Sequence, residues 1–192
     1  PKIYEYFKDV DEIWHAGDIG TIEVVDELLK FKPFRGVYGN IDGAEIRSEL
    51  KEAERFMCED VEVLMTHIAG KPGKYYPKAK ELMDQKAPKL FICGHSHILK
   101  VINDKKLNLL HMNPGAAGMY GIQKVRTLLP TNLYFGIPPL SSKPRVTIRE
   151  PNTTSACNDR IGSIILGKYS GAYWPSPCKR TTRSNSFSII HE

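Results

Sequence analysis

The stretch that most constrains this chain is an apolar run that ends abruptly in Gly94-His95-Ser96-His97. The run itself, Leu90-Phe91-Ile92-Cys93, is typical of a buried strand, and the glycine allows the backbone to turn where the strand ends. Two histidines at positions i and i+2 of an irregular loop can lie beside two neighbouring ions. Three other predicted strands also end at a polar side chain, namely Asp18, Asn40 and His67. Because ligand sites of open α/β sheets form beyond the carboxyl ends of the strands, we expect these side chains to share one site.

The combined donor set contains one carboxylate, one amide and three imidazoles. Its members are Asp18, Asn40, His67, His95 and His97. Divalent ions such as Mn²⁺, Fe²⁺ and Zn²⁺ accept this mixture at distances near ~2 Å, and a carboxylate can bridge two of them. The alternative is that His95 and His97 are ordinary loop histidines, an interpretation that weakens once all four strand ends are considered together. The pattern therefore favours a metal centre.

Other polar residues near these strand ends have structural interpretations. His15 and His111 lie in predicted strands, and we expect them to pack in or against a sheet. Asp42 is expected to cap the helix that follows it, with the alternative that it holds the Asn40 loop in shape. Asn113-Pro114-Gly115 is either a simple turn or the floor beneath the candidate metal loops. We count none of these residues among the metal ligands.

The charge distribution divides the chain in two. Residues 1–129 contain 19 basic and 19 acidic side chains, so the net charge of +5 comes from residues 130–192, with 8 basic and 3 acidic side chains. The second segment also holds seven of the 13 prolines and only scattered apolar residues. Such a segment seldom buries enough surface to offset its ordering entropy. We predict a metal-binding domain over residues 1–129 and a mostly irregular, basic, Pro/Ser-rich tail over residues 130–192.

Composition also limits the classes of partner. The balanced charge of residues 1–129 gives no indication of a nucleic-acid partner. No apolar run approaches the roughly 20 residues of a membrane span, and the sequence opens without a basic and then apolar signal pattern. We therefore expect a cytoplasmic protein without membrane association, and a homo-oligomer is left open. The four cysteines have no zinc-binding spacing and receive no function.

Five short motifs follow one another along the chain. They are Gly17-Asp18, Gly39-Asn40-x-Asp42, Thr66-His67, Gly94-His95-Ser96-His97 and Asn113-Pro114-Gly115. In the order and spacing of these motifs, across about residues 1–129, the chain resembles the calcineurin-like metallophosphoesterase superfamily, above all its small single-domain bacterial and archaeal phosphodiesterases. The resemblance implies an α/β fold with two facing, partly parallel β-sheets and helices outside (α/β/β/α), incomplete at the N-terminus.

The resemblance also implies a role for each candidate residue. Asp18 would bridge two divalent ions. Asn40, His67 and His95 would complete the shell of one ion, and His97 would belong to the shell of the other. Manganese is the expected metal, with iron, zinc and nickel as alternatives. Asn40 and His67 are the candidate catalytic residues, and the implied reaction is hydrolysis of a small phosphodiester by water activated between two ions about 3.5–4 Å apart.

The chain departs from the family pattern in three ways. The family's second ion also takes ligands from an Asp-x-His motif on an upstream strand, and we expect this domain to lack that first strand. Ile41 stands where many phosphatases of the superfamily have a histidine that protonates the leaving group. The tail does not resemble the family's closing strands. The alternatives to a phosphodiesterase are a non-catalytic protein-binding scaffold of the same fold, as in the retromer subunit, and a truncated inactive chain.

Overall fold

In the computed structural model of the chain, residues 2–84, 86–118, 126–132 and 165–169 are described. The helices of this part are α1 (Lys2–Tyr6), α2 (Ile22–Phe31), α3 (Ala44–Glu49) and α4 (Pro77–Asp84). The strands are β1 (Glu12–His15), β2 (Phe34–Gly36), β3 (Ala53–Cys58), β4 (Val61–Thr66), β5 (Gly70–Lys71), β6 (Lys74–Tyr75), β7 (Leu90–Ile92), β8 (Leu99–Asp104), β9 (Leu109–Pro114), β10 (Leu129–Asn132) and β11 (Ile165–Tyr169).

The first sheet has four strands in the order β10-β11-β1-β2. β1 and β2 are parallel, with Trp14 opposite Arg35, and the connection between them is α2. On its other side β1 pairs antiparallel with β11, where Trp14 lies opposite Leu166. This sheet therefore combines a parallel β-α-β unit with two strands from later parts of the chain, β11 and β10, which are parallel to each other.

The second sheet has five strands in the order β3-β4-β7-β9-β8. Its three central strands, β4, β7 and β9, are parallel, with Leu64 opposite Phe91 and Phe91 opposite His111. Two antiparallel hairpins, β3-β4 and β8-β9, form its edges. The parallel centre is almost entirely buried, which explains the continuous apolar runs of these strands in the sequence.

Alternation along the strands distributes side chains between an inner and an outer face. In β1, Trp14 belongs to the core between the two sheets and lies edge-on to Phe56 of β3, at 5.0 Å between ring centroids. Its neighbour Ile13 belongs instead to a cluster with Leu28 of α2. The first sheet thus has the second sheet on one face and helices on the other.

The second sheet is covered in the same way. Leu90 and Ile92 of β7 join the core between the sheets, whereas Phe91 packs outward in a cluster with Ala79 and Met83 of α4. The layers are therefore helix, sheet, sheet and helix. The α/β two-sheet sandwich predicted from the sequence is confirmed.

Two local predictions are wrong. The sequence predicts a last strand of the domain over residues 124–129, but residues 126–128 are not in a strand and β10 begins at Leu129. The cause is Thr127, whose N–H donates to the carbonyl of Ala116 at 2.7 Å and whose hydroxyl donates to the carbonyl of Pro114 at 2.6 Å. The loop expected after His67 also contains a short hairpin, β5-β6.

The predicted boundary between residues 129 and 130 falls inside β10. Beyond it, β11 is a strand that the expected irregular tail did not include. The prediction for the rest of residues 130–192 lies outside the described residues, apart from residues 130–132. Within the described ranges, every helix is too short or too polar to cross a bilayer.

Candidate metal centre

Four loops, two from each sheet, meet at one edge of the sandwich. Asp18 follows β1 and Asn40 follows β2 in the first sheet, whereas His67 follows β4 and His95 follows β7 in the second. Both strand pairs are parallel, so their carboxyl ends lie on the same side. The backbone N–H of Gly94 donates to the carbonyl of His67 at 2.9 Å and joins the two loops of the second sheet. The candidate centre is therefore built across both sheets.

The four side chains are within contact distance of one another. His67 Nε2 lies 3.2 Å from Asp18 Oδ1 and 3.0 Å from Asn40 Oδ1. His95 Nδ1 lies 2.8 Å from the same Asn40 oxygen. One ligand atom from each of Asp18, His67 and His95 falls within a span of 4.8 Å, so these three residues could hold a metal ion. Asp18 and His67 are buried, whereas Asn40 and His95 are exposed, so the group opens to solvent on one side.

His97 is placed differently from the other four candidates. It lies two residues beyond His95, is half-buried, and is outside the group formed by Asp18, His67 and His95. The structure thus brings together Asp18, Asn40, His67 and His95, whereas the role of His97 in a second ion's shell stays a prediction.

The hydrogen bonds of His67 indicate what the cluster can bind. Nδ1 lies 2.7 Å from the carbonyl oxygen of Ala16, an acceptor, so this nitrogen carries a proton and donates it. In the neutral ring Nε2 then has a lone pair, and it faces the oxygens of Asn40 and Asp18. The lone pairs of this nitrogen and of the two oxygens then face one another, and this arrangement is favourable only when a cation or a proton lies between them. Histidines that bind metals are typically oriented by such a donation to a backbone carbonyl.

The loop conformations are of a kind that side chains rarely adopt. Asp18, His95 and His97 have φ values of 58°, 64° and 56°, in the left-handed region. Non-glycine residues in this region are uncommon, and strained backbone is frequent at functional sites. Asn113 supports one of these loops, because its Nδ2 donates to the carbonyl of Gly94 at 2.8 Å and to Ser96 Oγ at 3.0 Å. These contacts favour the interpretation of Asn113-Pro114-Gly115 as the floor beneath the loop of His95 and His97 over that of a simple turn.

Asp42 does not cap the following helix. The N-cap residue of α3 is Gly43, and the Asp42 carboxylate accepts hydrogen bonds from the N–H groups of Gly20, at 2.9 Å, and Gly39, at 2.6 Å. The alternative interpretation is therefore the correct one: Asp42 connects the loop after β1 to the loop after β2. Both oxygens of this buried carboxylate are occupied by the two amides, and α3 has no side-chain cap.

Arg47 is a residue of the site that the sequence analysis missed. Its guanidinium donates to the carbonyls of Asp42, at 2.7 Å, and Gly39, at 3.0 Å, and lies over the ring of Tyr38. An arginine on a short helix gives no signal in the sequence for such a contact. Together with Asp42, it holds the loop that carries Asn40.

The electrostatics favour an ionised Asp18 and a neutral His95. Burial opposes ionisation of Asp18, but its contact with His67 and the N–H of Ile41 outweigh burial, so the pKa of Asp18 lies below its usual range. The pKa of His95 is lowered by burial and by the neighbouring His67. An ionised carboxylate and unprotonated ring nitrogens are the forms that bind metal ions.

The two histidines expected to be structural, His15 and His111, are buried and lie outside this group. Burial lowers the pKa of His15 to about 3, with a smaller contribution from His67, and neither ring nitrogen of His15 has a hydrogen-bond partner. His111 lies in β9 with its Nε2 3.7 Å from the sulfur of Cys93. Burial raises the pKa of the Cys93 thiol to about 12, so this cysteine is unreactive. These placements agree with the predicted packing roles.

Comparison with known proteins identifies relatives of the sequence. Residues 1–132 match the family model of the calcineurin-like phosphoesterase superfamily domain. A probable metallophosphoesterase of Methanothermobacter thermautotrophicus is 30% identical over 121 residues, which are 59% of this chain and 64% of that protein. The chain thus spans slightly less than two thirds of the length of this curated relative.

Solved structures share the fold at low sequence identity. An archaeal phosphodiesterase superposes with a TM-score of 0.50 and 18% identity, over 77% of this chain and 88% of its own. Vps29 of Entamoeba histolytica, solved in complex with zinc, superposes with a TM-score of 0.51 and 18% identity, over 66% of this chain and 73% of its own. These two likenesses concern the fold.

Proposed function

Because the chain belongs to the calcineurin-like phosphoesterase superfamily, a family that binds divalent metals, we propose that it is a metal-dependent phosphodiesterase acting on a small diester. Asp18, Asn40, His67 and His95 form the proposed centre. The observation that carries the proposal is the convergence of His67 Nε2 with the side-chain oxygens of Asp18 and Asn40, while His67 Nδ1 is held by the carbonyl of Ala16. This donor set of carboxylate, amide oxygen and imidazole fits manganese, iron, nickel or zinc, with manganese preferred.

The chain's own residues have separate tasks in this proposal. Divalent ions at such a centre supply an activated water and neutralise charge on phosphoryl oxygens. Asp18, ionised at neutral pH, provides the negative charge that holds cations at the base of the site. His67 is fixed by Ala16 and cannot turn away, whereas Asn40 and His95 lie at the exposed side, where a diester would arrive. Ile41 has no proton to transfer, so protonation of the leaving group falls to solvent.

A second candidate function is a non-catalytic protein-binding scaffold. The structural likeness to Vps29 favours it, because that likeness shows that this fold also occurs outside the phosphodiesterases. A chain of this kind would bind metal without turnover. A truncated inactive chain would give the same absence of turnover. Two expectations stay predictions, namely the cytoplasmic location and the absence of a nucleic-acid partner. Whether the chain forms a homo-oligomer stays open.

The test is hydrolysis of bis-p-nitrophenyl phosphate with added Mn²⁺. We expect metal-dependent turnover that falls by more than about 100-fold in Asp18→Ala and in His95→Ala, since each removes a proposed ligand. Asp26→Ala, an exposed carboxylate on α2, is the matched control and should retain the activity. Mn²⁺ binding measured by calorimetry, without turnover in the wild-type chain, would contradict the phosphodiesterase and favour the scaffold or the inactive chain.

A further inference from the structure

Three exposed isoleucines lie on the loops that carry the candidate metal ligands. Among the described residues, seven large apolar side chains are exposed, and three of them directly follow a candidate metal ligand in the sequence. These three are Ile41 after Asn40, Ile68 after His67 and Ile98 after His97, with exposed fractions of 58%, 40% and 57%. A single exposed isoleucine is ordinary, but a repeated position beside three polar loop residues is a feature of the site. We call these three residues the isoleucine rim.

The backbone of Ile41 is hydrogen-bonded to the centre, and that of Ile98 to Ser96, which lies between His95 and His97. The N–H of Ile41 donates to Asp18 Oδ1 at 3.2 Å, and the N–H of Ile98 donates to Ser96 Oγ at 3.4 Å. Ile68 is the next residue after His67, whose imidazole lies within the metal-binding group. The rim residues are therefore placed with the loops that hold the polar groups, while their side chains stay in contact with water.

A diester bound at the centre would have its two ester groups pointing away from the phosphoryl group. A phosphodiester carries a single charge, so the remaining surface that it presents is the surface of its esters. Arg47, the cation that holds the loop of Asn40, has its donors directed at the carbonyls of Gly39 and Asp42. The exposed rim side chains would gain from contact with such ester groups by losing exposure to water.

We infer that the isoleucine rim selects phosphodiesters with an apolar or aromatic ester group over those with small esters. The inference rests on the proposed function, because it requires the phosphoryl group of the diester to bind at the metal centre. It adds the class of ester, which the metal ligands do not determine. One apolar contact of this size in a binding site changes relative affinity by about tenfold.

The test compares diphenyl phosphate with dimethyl phosphate, two diesters of equal charge. Binding to the Mn²⁺-loaded chain is measured by calorimetry, so turnover is not needed. We expect diphenyl phosphate to bind about tenfold more tightly, with a more negative heat-capacity change, as burial of apolar surface requires. The ratio of the two affinities should fall to about two- to threefold in the double variant Ile41→Ser/Ile98→Ser. Ile102→Ser, an exposed isoleucine on β8, is the matched control and should keep the ratio of the wild-type chain.

Equal affinities for the two diesters in the wild-type chain would overturn the inference. The rim would then be better explained as a contact surface for an apolar protein partner. An equal loss of the ratio in Ile102→Ser would also overturn it, because the preference would then not come from the rim. Failure of the proposed function gives a different result: a preserved preference for diphenyl phosphate, sensitive to the rim variants, without hydrolysis of bis-p-nitrophenyl phosphate. That result supports the rim as a binding surface while refuting the phosphodiesterase.

Discussion

Replacing Gly39 by alanine should displace Asp18 without removing any candidate ligand. A Cβ atom added at Gly39 would lie 2.8 Å from Asp18 Cγ and closer still to the carboxylate oxygen and the backbone nitrogen of Asp18, distances that real Cβ atoms essentially never show. The φ of Gly39 is not in the left-handed region, so the obstacle is contact alone. The loop cannot retreat, because the Gly39 N–H is held by Asp42 at 2.6 Å. The carboxylate of Asp18 must therefore move.

The structure sets the size of the effect. Forcing an extra methyl group into a filled space costs roughly 1–3 kcal/mol, and the atoms in the way here include backbone. A shift of the ligand at the base of the site should weaken metal affinity by roughly 10–100-fold, as is typical when the support of a ligand is disturbed. Gly43→Ala is the control in the same loop, since a Cβ there meets no atom within 4 Å.

The assay is Mn²⁺ titration by calorimetry together with urea unfolding of both variants. We expect weak metal binding and lower stability in Gly39→Ala, and metal binding and stability close to wild type in Gly43→Ala. If Gly39→Ala bound Mn²⁺ like the wild-type chain at unchanged stability, the close contact between the two loops, and with it the placement of Asp18, would be wrong.

Two further predictions concern the buried polar groups. Asp42→Asn leaves one of the two amide donors without an acceptor and should lower the free energy of unfolding by roughly 1–3 kcal/mol; a two-state urea unfolding curve like that of the wild-type chain would contradict the link between the two loops. Burial, with a smaller effect of Lys100, lowers the pKa of His111 to about 4. The unfolded chain therefore binds this proton more tightly than the folded chain. The contribution of His111 to stability is complete above about pH 6.5 and falls by roughly 2–3 kcal/mol as the pH drops toward 4. Urea unfolding between pH 7 and 4.5 should show a shallower decline in His111→Gln, and identical slopes would refute the assignment.

The position of the site was predictable from the sequence because its signal is local. The parallel strands β4 and β7 are buried apolar runs, and the first polar loop residue after each predicted strand marks the point where the chain leaves the sheet. Asp18, Asn40, His67 and His95 could be recognised in this way, and their convergence follows from the parallel arrangement. The β3-β4 hairpin is equally predictable, since Glu59-Asp60 separates two strand-like runs over residues 55–58 and 61–66.

What could not be predicted depends on partners distant in sequence. Asp42 joins two loops instead of capping a helix because its carboxylate accepts from Gly20, 22 residues away. The contacts of Arg47 likewise depend on backbone carbonyls of the loop before its helix. Thr127 is not in the expected strand because its N–H donates to the carbonyl of Ala116 and its hydroxyl donates to the carbonyl of Pro114. Hydrophobic periodicity contains no information about such competition.

The pairing of β1 with β11 has a consequence for synthesis on the ribosome. β1 and its antiparallel partner β11 are separated by about 150 residues, so this pairing cannot form until the later segment has been translated. At 5–20 residues per second this interval lasts roughly 10–30 s. Throughout that time a nascent chain exposes an open strand edge beside Ile13 and Trp14, and such edges readily pair with other chains. Nascent protein is therefore most exposed to aggregation during translation, before its first sheet can close.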